Sequence, residues 1–232
     1  MNYNEFFKEL EKQGIVLSSY QQNQFKKYEE LLVSENEKIN LTSITKSEEV
    51  VDKHFYDSSL LLFYKDIKGS LLDVGTGAGF PGVVIKIIKP DIKLTLLEPI
   101  KKRCLFLEKL VKELDLKDVD IINERAEDYS INNRSKYDFV TARAVSNINI
   151  LIEVSGAMVK KDGYFICLRG KDGRIEIDNA QKAIKTMGFD VQEIVDASLY
   201  DGSSRVISFF KKIKETDKAF PRKYNIIKKN PL

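Results

Sequence analysis

A cluster of glycines follows a carboxylate in the stretch LLDVGTGAGFPGVVIKI, which begins at Leu71. Asp73 precedes Gly75, Gly77 and Gly79 in the spacing Asp-x-Gly-x-Gly-x-Gly. Glycine adopts positive φ readily and lets a ligand come close to the backbone. Because apolar residues flank the cluster on both sides, we expect a turn from a strand into a helix. At such a turn the backbone N–H groups of the helix start can bind the polar end of a ligand.

A further acidic position follows at an interval that fits a ribose. Glu98 ends the next predicted strand, and a carboxylate there can accept hydrogen bonds from both hydroxyls of a ribose. NAD sites also carry such a strand-end carboxylate, so Glu98 indicates a ribose without choosing the ligand. The alternative is a solvated charge at the end of a strand.

The glycine register separates two ligand classes. A dinucleotide loop, Gly-x-Gly-x-x-Gly at the strand end, would require glycine where Phe80 stands. The literal match GAGFPG (77–82) begins too far past the strand to form the first tight turn. The observed register instead resembles motif I of the class I S-adenosylmethionine-dependent methyltransferases, whose loop wraps the amino-acid end of the cofactor. Asp73 would then face the ammonium side of that ligand.

Strands and helices alternate from Leu71 onward, which predicts an α/β fold with a doubly wound, mostly parallel seven-stranded sheet. Only DASLYDGSS joins the last two strands; this is too short for a helical crossover, so the last strand should be antiparallel. The predicted strands are Leu71–Val74, Lys93–Glu98, Val119–Asn123, Tyr137–Thr141, Gly163–Leu168, Val191–Val195 and Arg205–Lys211. The predicted helices of this part are Gly82–Lys89, Lys101–Leu114, Asn147–Val159 and Arg174–Met187.

The rest of the chain adds a helical and a basic segment. Residues 1–65 show helical spacing without a strand pattern, and Ser18 or Ser19 could cap the second helix. Residues 211–232 carry eight Lys and Arg against two acidic residues, although the net charge of the chain is only +3. We predict an N-terminal helical extension (1–65), a methyltransferase domain (66–212) and a basic C-terminal tail (213–232). The tail could contact phosphate, or it could be a frayed, solvated terminus.

Composition excludes several classes of protein. Two distant cysteines, Cys104 and Cys167, and a single histidine argue against a disulfide framework and a Cys/His zinc site, so we expect no metal and two buried cysteines. No apolar run reaches the roughly 20 residues that cross a bilayer, and the N-terminus lacks an apolar signal core. We expect a cytoplasmic protein without a membrane partner. Nothing demands a dimer, so we expect a monomer.

Missing motifs narrow the methyl acceptor. The loop after the fourth strand, TARAVSNIN, lacks the Asn/Asp-Pro-Pro-aromatic pattern of adenine amino-group methylation. Both cysteines fall inside predicted elements, which argues against the cysteine nucleophile of cytosine C5 methylation. An acceptor that is already nucleophilic, such as guanine N7, remains. It needs no general base, and none is evident.

A more specific resemblance covers about residues 25–212. The chain resembles the glucose-inhibited division protein B (RsmG) family, the guanine-N7 methyltransferases of small-subunit (16S) ribosomal RNA. The motifs that carry it, in the family's order, are NLTSI (40–44), HFYDS (54–58), DVGTGAGFPG (73–82), KKRCLFLEKL (101–110), ARA (142–144), LRGK (168–171) and SSRVISFFKK (203–212).

The resemblance implies S-adenosylmethionine as cofactor and 16S ribosomal RNA, or a small-subunit particle, as partner. It places Arg143 beside the cofactor and the target base, as a positioning residue, and Asn40, Pro81, Arg169 and Arg205 against the RNA. With the glycine register and the strand-end carboxylate, the implied cofactor-binding set is Asp73, Gly75, Gly77, Gly79, Phe80, Glu98, Ala126, Glu127 and Arg143. Arg143 could instead form a surface salt bridge, and Asn40 could cap a helix. His54 matches a family histidine, but we expect a structural role for it.

Two departures from the family pattern matter. Arg169 replaces the usual lysine of LKG, which keeps the charge and changes the geometry. In the tail, YNIIKKNPL follows FPRK where the family commonly has PGTPNKxPL. The alternatives are a methyltransferase of a small molecule or protein, an RNA-binding module without activity, and an NAD-dependent oxidoreductase. The Tyr-x-x-x-Lys pair of many such oxidoreductases is missing at Tyr164, because Leu168 stands four residues later.

Overall fold

Seven strands form one sheet in the computed structural model; numbered along the chain, they lie in the order 3-2-1-4-5-7-6 across it. The structure describes residues 1–143 and 146–232; Ala144, the last residue of the ARA motif, and Val145 lie outside the described residues. The strands are β1 (Ser70–Val74), β2 (Lys93–Leu97), β3 (Val119–Ile122), β4 (Tyr137–Arg143), β5 (Val159–Arg169), β6 (Phe189–Ser198) and β7 (Ser204–Lys212).

The pairing of the strands confirms the predicted class I methyltransferase fold. β3, β2, β1, β4 and β5 pair in parallel, and β7 runs antiparallel between β5 and β6. β2 lies on one side of β1 and β4 lies on the other, so the direction in which successive strands are added to the sheet reverses at β1. In open α/β sheets a ligand crevice forms at such a switch point, beyond the carboxyl ends of the strands.

Helices cover both faces of the sheet. The irregular segment after α2 (Ser19–Ile39) begins with α3 (Ser47–Val50), passes through a π-helical turn (Val51–Tyr56) and α4 (Asp57–Ser59), and ends in a 3₁₀ turn (Leu60–Phe63). A further 3₁₀ turn (Gly156–Met158) precedes β5. The helices are α1 (Tyr3–Lys12), α2 (Ser19–Ile39), α3 (Ser47–Val50), α4 (Asp57–Ser59), α5 (Gly82–Ile88), α6 (Lys101–Glu113), α7 (Ala126–Asn132), α8 (Ile148–Ser155), α9 (Gly173–Asn179), α10 (Gln181–Thr186) and α11 (Tyr224–Lys229).

Alternate residues of the strands pack into two separate hydrophobic clusters. Leu71 and Leu96 belong to the cluster that contains α1, α2, α5 and α6, whereas Leu72 and Leu97 belong to the cluster that contains α8, α9 and α10. Successive side chains of a strand point to opposite faces. The two clusters are therefore the two cores of a doubly wound sheet, as the apolar strands predict.

Most predicted elements are confirmed, with differences at their ends. Every predicted strand is present, although β5 begins four residues before the predicted Gly163. The prediction of one continuous helix over Arg174–Met187 is wrong, because the helix is interrupted at Ala180, between α9 and α10. The short helices α7 and α11 are additional to the prediction. Ser18 caps α2 through a capping box with Gln21, as expected.

The N-terminal helices support the glycine loop from behind. Phe6, Phe25 and Phe55 are fully buried against one another, with ring centroids 5.1–6.4 Å apart. Tyr28 of α2 extends this cluster to the loop, because its hydroxyl donates to the carbonyl of Ala78 at 2.7 Å. Each buried aromatic ring contributes about 1.5–3 kcal/mol, so this cluster holds the helices firmly against the loop. The division of the chain at residues 65 and 212 stays a prediction.

Both cysteines are buried in the structure, as predicted. No helix in the described part of the chain is long and apolar enough to cross a membrane. Within residues 1–143 and 146–232, no group of three or more His, Cys, Asp and Glu side chains is arranged to hold a metal ion.

Candidate active site

The glycine loop leaves β1 at the switch point of the sheet. Gly75, Gly77 and Gly79 have φ values of 65°, 61° and 103°, in the region that disfavours L side chains. The backbone N–H of Gly75 donates to the carbonyl of Leu97 at 2.8 Å, which ties the loop to the end of β2. The predicted strand–loop–helix turn is therefore confirmed, and α5 begins at Gly82.

Asp73 braces this loop from inside the protein. Its side chain is fully buried, and Oδ2 accepts hydrogen bonds from the Thr76 hydroxyl at 2.6 Å and the Gly82 N–H at 2.8 Å. Oδ1 has no hydrogen-bond partner among the described residues. Burial raises the pKa of Asp73 to about 6, despite these two donors. A buried carboxylate oxygen without a partner is a feature that a cationic ligand group would satisfy.

Glu98 holds the opposite side of the loop. The residue is only 1% exposed to solvent, so the alternative interpretation of Glu98 as a solvated charge at the end of a strand is wrong. Oε2 accepts a hydrogen bond from the Gly77 N–H, and Oε1 accepts one from the Ile100 N–H, both at 3.0 Å. These bonds fix the carboxylate and leave lone pairs free. Glu98 can therefore still accept hydrogen bonds from ligand hydroxyls.

A cavity of about 330 Å³ opens beside these carboxyl ends. Five of the nine predicted cofactor residues line it: Gly75, Glu98, Ala126, Glu127 and Arg143. Ala126 and Glu127 begin α7, directly after β3. The rest of the lining is largely apolar and includes Leu97, Ile100, Ile150, Leu151, Val154 and Tyr224. A mostly apolar pocket with a few fixed polar groups is the usual form of a cofactor site.

Phe80 is part of an aromatic stack. Its ring is buried in a stack, 5.2 Å from the Tyr28 ring and 4.5 Å from the His54 ring, and not among the described residues that line the cavity. The guanidinium of Arg143 lies over this ring, 4.9 Å from its centroid. Phe80 therefore supports Arg143 through a cation–π contact. Its predicted contact with the cofactor remains untested.

Arg143 is the last residue of β4, and three groups of the irregular segment after α2 hold its side chain. Nη1 donates to the carbonyl of Lys53 at 3.0 Å and to Oδ2 of Asp57 at 3.1 Å, and Nη2 lies 3.3 Å from Nδ1 of His54. The side chain is 16% exposed, so it is not a surface arginine, although it does form an ion pair. Arg143 is fixed at the junction of β4 with the helical segment.

A second cavity, of about 370 Å³, lies on the other side of Arg143. Arg169 and Arg205, two of the predicted RNA contacts, line it together with Arg143, His54 and Asp57. Asp57 pairs with two of these arginines, since its Oδ1 accepts from Nε of Arg205 at 2.8 Å. Arg169 pairs with Glu176 outside the cavity, and its Nη1 has no partner among the described residues.

Asn40 and Pro81 lie apart from this cluster. Asn40 is exposed and ends α2 with φ 50°, and its backbone N–H donates to the carbonyl of Asn36, so it does cap the helix. Pro81 is buried at the start of α5 and is absent from the described lining of either cavity. The structure therefore does not bring Pro81 to the surface with the other predicted RNA contacts. A role for Asn40 in binding RNA remains a prediction.

Comparison with known proteins decides the family. Residues 21–213 match the GidB family, described as rRNA small subunit methyltransferase G. The chain belongs to this family. It is 42% identical to a protein of Lysinibacillus sphaericus over the whole of both chains, and 44% identical to one of Bacillus licheniformis over the whole chain and 99% of that protein. Both are named ribosomal RNA small subunit methyltransferase G.

Solved structures agree on the fold. A methyltransferase of Aquifex aeolicus described as dependent on S-adenosylmethionine superposes with a TM-score of 0.57 over 75% of this chain and 97% of that one, at 16% identity. TYW2 of M. jannaschii in complex with AdoMet gives a TM-score of 0.58 over 74% and 80%, at 14% identity. As a member of the GidB family, the chain is an S-adenosylmethionine-dependent methyltransferase, and an NAD-dependent oxidoreductase is not supported.

The residues of the first cavity fit this cofactor. Glu98 offers carboxylate lone pairs to a ribose, and the start of α7 at Ala126 offers backbone groups to a base. The partnerless Oδ1 of Asp73 is the anionic group nearest in sequence to the glycine loop, which suits the ammonium of the methionine part. The described residues of this cavity that would hold the cofactor are therefore Gly75, Glu98, Ala126 and Glu127. Asp73 is fully buried and absent from the described lining, so its contact with the cofactor stays a prediction.

Sequence reasoning missed the central role of Asp57, although the residue is part of the HFYDS motif. Its side chain is 5% exposed and lies between the two arginines. A buried carboxylate seventeen residues after Asn40 carries no local sign of pairing with residues of β4 and β7. Only the assembled sheet brings the three together.

Replacing Asp57 with asparagine should therefore disturb both arginines. We expect D57N to lower kcat for methyl transfer by about 10- to 100-fold, because an amide pairs poorly with two guanidinium groups and breaking a buried pair costs about 3–5 kcal/mol. Steady-state kinetics with saturating RNA tests this. D52N is the matched control: Asp52 is also buried in the π-helical turn, but within the described part of the chain its hydrogen-bond donors are the backbone N–H groups of Tyr200 and Asp201. An equal loss in both variants would contradict a role for Asp57 in positioning the arginines.

His54 should make the protein less stable in acid. Burial, and secondarily the neighbouring Arg143 charge, lower the pKa of His54 to about 3, and it is the only histidine of the chain. The unfolded chain binds this proton below pH 6.5 and the folded chain does not, so stability is lost as the pH falls from 6.5 toward 3. Between pH 7.5 and 5 the unaltered chain should lose about 2 kcal/mol more unfolding free energy than H54Q does. Urea unfolding at both pH values measures this difference, and parallel losses in the two proteins would contradict it.

Proposed function

We propose that the chain transfers the methyl group of S-adenosylmethionine to N7 of one guanine in small-subunit (16S) ribosomal RNA. The observation that carries this proposal is the position of Arg143, which lines both the cofactor cavity and the second, arginine-rich cavity. A group that borders both spaces can place an acceptor against the methyl donor. The family membership supports ribosomal RNA as the substrate.

The second cavity suits an acceptor that keeps its lone pair. Both ring nitrogens of His54 are engaged, Nε2 with the Thr42 hydroxyl at 2.9 Å and Nδ1 as the acceptor from Nη2 of Arg143 at 3.3 Å. Asp57 is engaged by two arginines. Neither group is available to remove a proton from the acceptor. Guanine N7 needs no such step, because its lone pair is free at neutral pH.

The chain's own residues would therefore act by binding and orientation. When bound, the cofactor supplies an electrophilic methyl group. Arg143, which is fixed by Asp57, Lys53 and the Phe80 ring, can donate to guanine O6 or to a phosphate and leave N7 unobstructed. Correct placement of the reactants lowers such a barrier by up to roughly 7–11 kcal/mol. No covalent intermediate with the protein is required.

The target guanine must be accessible at its major-groove edge. That groove is deep and narrow in A-form RNA, so the base must lie in a loop or be turned out of the helix. Arg169, Arg205 and the basic tail would then contact phosphates around it. We propose that the chain acts as a monomer on either naked RNA or a subunit particle.

A transfer assay tests the reaction directly. The purified chain is incubated with methyl-labelled S-adenosylmethionine and protein-free 16S RNA, or small subunits, from cells that lack this activity. Nucleoside analysis should then show 7-methylguanosine at about one per RNA. Label in another nucleoside, or only in a metabolite or protein fraction, would contradict the proposal and favour the small-molecule or protein methyltransferase.

Affinity for RNA should fall with salt. Three or four phosphate contacts predict a loss of about tenfold or more between 50 and 200 mM KCl, because bound cations are released from single-stranded RNA. Filter binding at several salt concentrations measures the slope. Binding of S-adenosylhomocysteine, which has no phosphate, is the internal control and should change little. An RNA affinity that does not depend on salt would contradict phosphate contacts by the arginines.

A further inference from the structure

The C-terminal tail reaches the cofactor cavity. Tyr224, the first residue of α11, lines this cavity together with Ile150, Leu151 and Val154 of α8. The predicted role of the tail was contact with RNA phosphate, and a frayed terminus was the alternative. Neither anticipates a tail residue at the cofactor site.

Buried contacts fix the tail in this place. Arg222 forms a bidentate ion pair with Glu153 of α8, with Nε–Oε1 and Nη2–Oε2 distances of 2.6 Å, and the Glu153 side chain is fully buried. Ile227 of α11 is fully buried as well. Arg134 donates to the carbonyl of Phe220 at 2.6 Å. Tyr224 therefore lies between two anchored positions, so the alternative of a frayed terminus is wrong for this segment.

Two exposed apolar side chains, Tyr224 and Ile100, lie in the cofactor cavity. Tyr224 is 39% exposed and Ile100 is 46% exposed, and both of these large apolar side chains line the cofactor cavity. Ile100 follows β2, whereas α8 and Tyr224 belong to the β4 side, so the two residues come from the two sides of β1. Two such surfaces on either side of a crevice suit a flat aromatic ring, and Ala126 and Glu127 lie in the same lining.

We infer that Tyr224 packs its ring against the adenine of the cofactor and so makes the tail part of the cofactor site. The inference rests on the proposed use of S-adenosylmethionine and adds a contact from outside the sheet.

Equilibrium binding of S-adenosylhomocysteine by calorimetry tests the inference without any turnover. Y224A should weaken binding by about tenfold, as the loss of base–aromatic stacking does elsewhere. Y224F keeps the ring and should bind like the unaltered chain. I226A is the matched control, because Ile226 lies on the same helix, is 46% exposed and is absent from the described lining of the cavity. It should bind normally.

Three results of this binding experiment would overturn the inference about Tyr224. Unchanged affinity of Y224A would overturn the inference, and so would an equal loss in Y224A and I226A, or in Y224A and Y224F. Circular dichroism and urea unfolding of the ligand-free variants check that the fold is kept, and Y224L provides a second variant if Y224A unfolds. Absence of binding to the unaltered chain would instead contradict the proposed function itself.

Discussion

Alanine in place of Arg143 should lower methyl transfer by at least about a hundredfold. Removal of one fixed donor from an active site typically costs 10²–10³ in kcat, and this guanidinium is the charged group shared by the two cavities. The loss should appear in kcat at saturating RNA and cofactor. Urea unfolding should show that the variant is folded.

Two further variants make this test specific. R143K keeps the charge but not the planar fork that meets Lys53, Asp57 and His54, so it should recover little of the activity. R174A removes another paired arginine, which is bonded to Asp196 on the surface and lies outside both cavities. Its kcat should be close to that of the unaltered chain. If kcat of R143A stayed within threefold of that of the unaltered chain, Arg143 would not be part of the active site.

Gly79→Ala should be the most damaging single-methyl change in the loop. Gly79 has φ 103°, and a Cβ there would lie 2.6 Å from the Tyr28 hydroxyl and 2.8 Å from Cγ2 of Val83. The backbone strain costs about 1–3 kcal/mol, and overpacking adds about 1–3 kcal/mol. We expect a loss of about 3–5 kcal/mol in unfolding free energy, together with weaker binding of S-adenosylhomocysteine, because Tyr28 holds the loop through Ala78.

Gly202→Ala separates the two costs. Gly202 has φ 84°, and a Cβ there would have no heavy atom within 4 Å, so only the backbone strain remains. This variant should lose about 1–2 kcal/mol and bind S-adenosylhomocysteine normally. Equal unfolding free energies for the two variants would show that the contact between the loop and Tyr28 is not tight.

The sequence predicts the sheet and the loop because their signals are local. Apolar segments of strand length, the glycines at alternate positions and the short link before β7 each determine the structure of their own segment. Gly75 and Glu98 follow from these signals, since they come directly after β1 and β2, whereas Ala126 and Glu127 are predicted only from the resemblance to the class I methyltransferases. The interruption at Ala180 and the short helices α7 and α11 are harder to predict, because each involves too few residues to show a clear periodic pattern in the sequence.

The arrangement around Arg143 could not be predicted in the same way. Its partners Lys53, His54 and Asp57 lie about 90 residues earlier in the chain, and Arg205 reaches Asp57 only because β7 inserts between β5 and β6. The position of Phe80, in the stack with Tyr28 and His54, depends on the same packing. Tyr224 lies at the cofactor cavity because the ion pair between Arg222 and Glu153 anchors the tail there, and no local sequence pattern predicts this ion pair.

A crystal structure of the chain with S-adenosylmethionine would test this cofactor site most directly. We expect density for the ribose at Glu98, for adenine beside Ala126 and Glu127, and for the methyl-bearing sulfur on the side of the cavity that Arg143 lines. Density for the adenosine part elsewhere, or a sulfur turned away from Arg143 and the second cavity, would contradict this expectation.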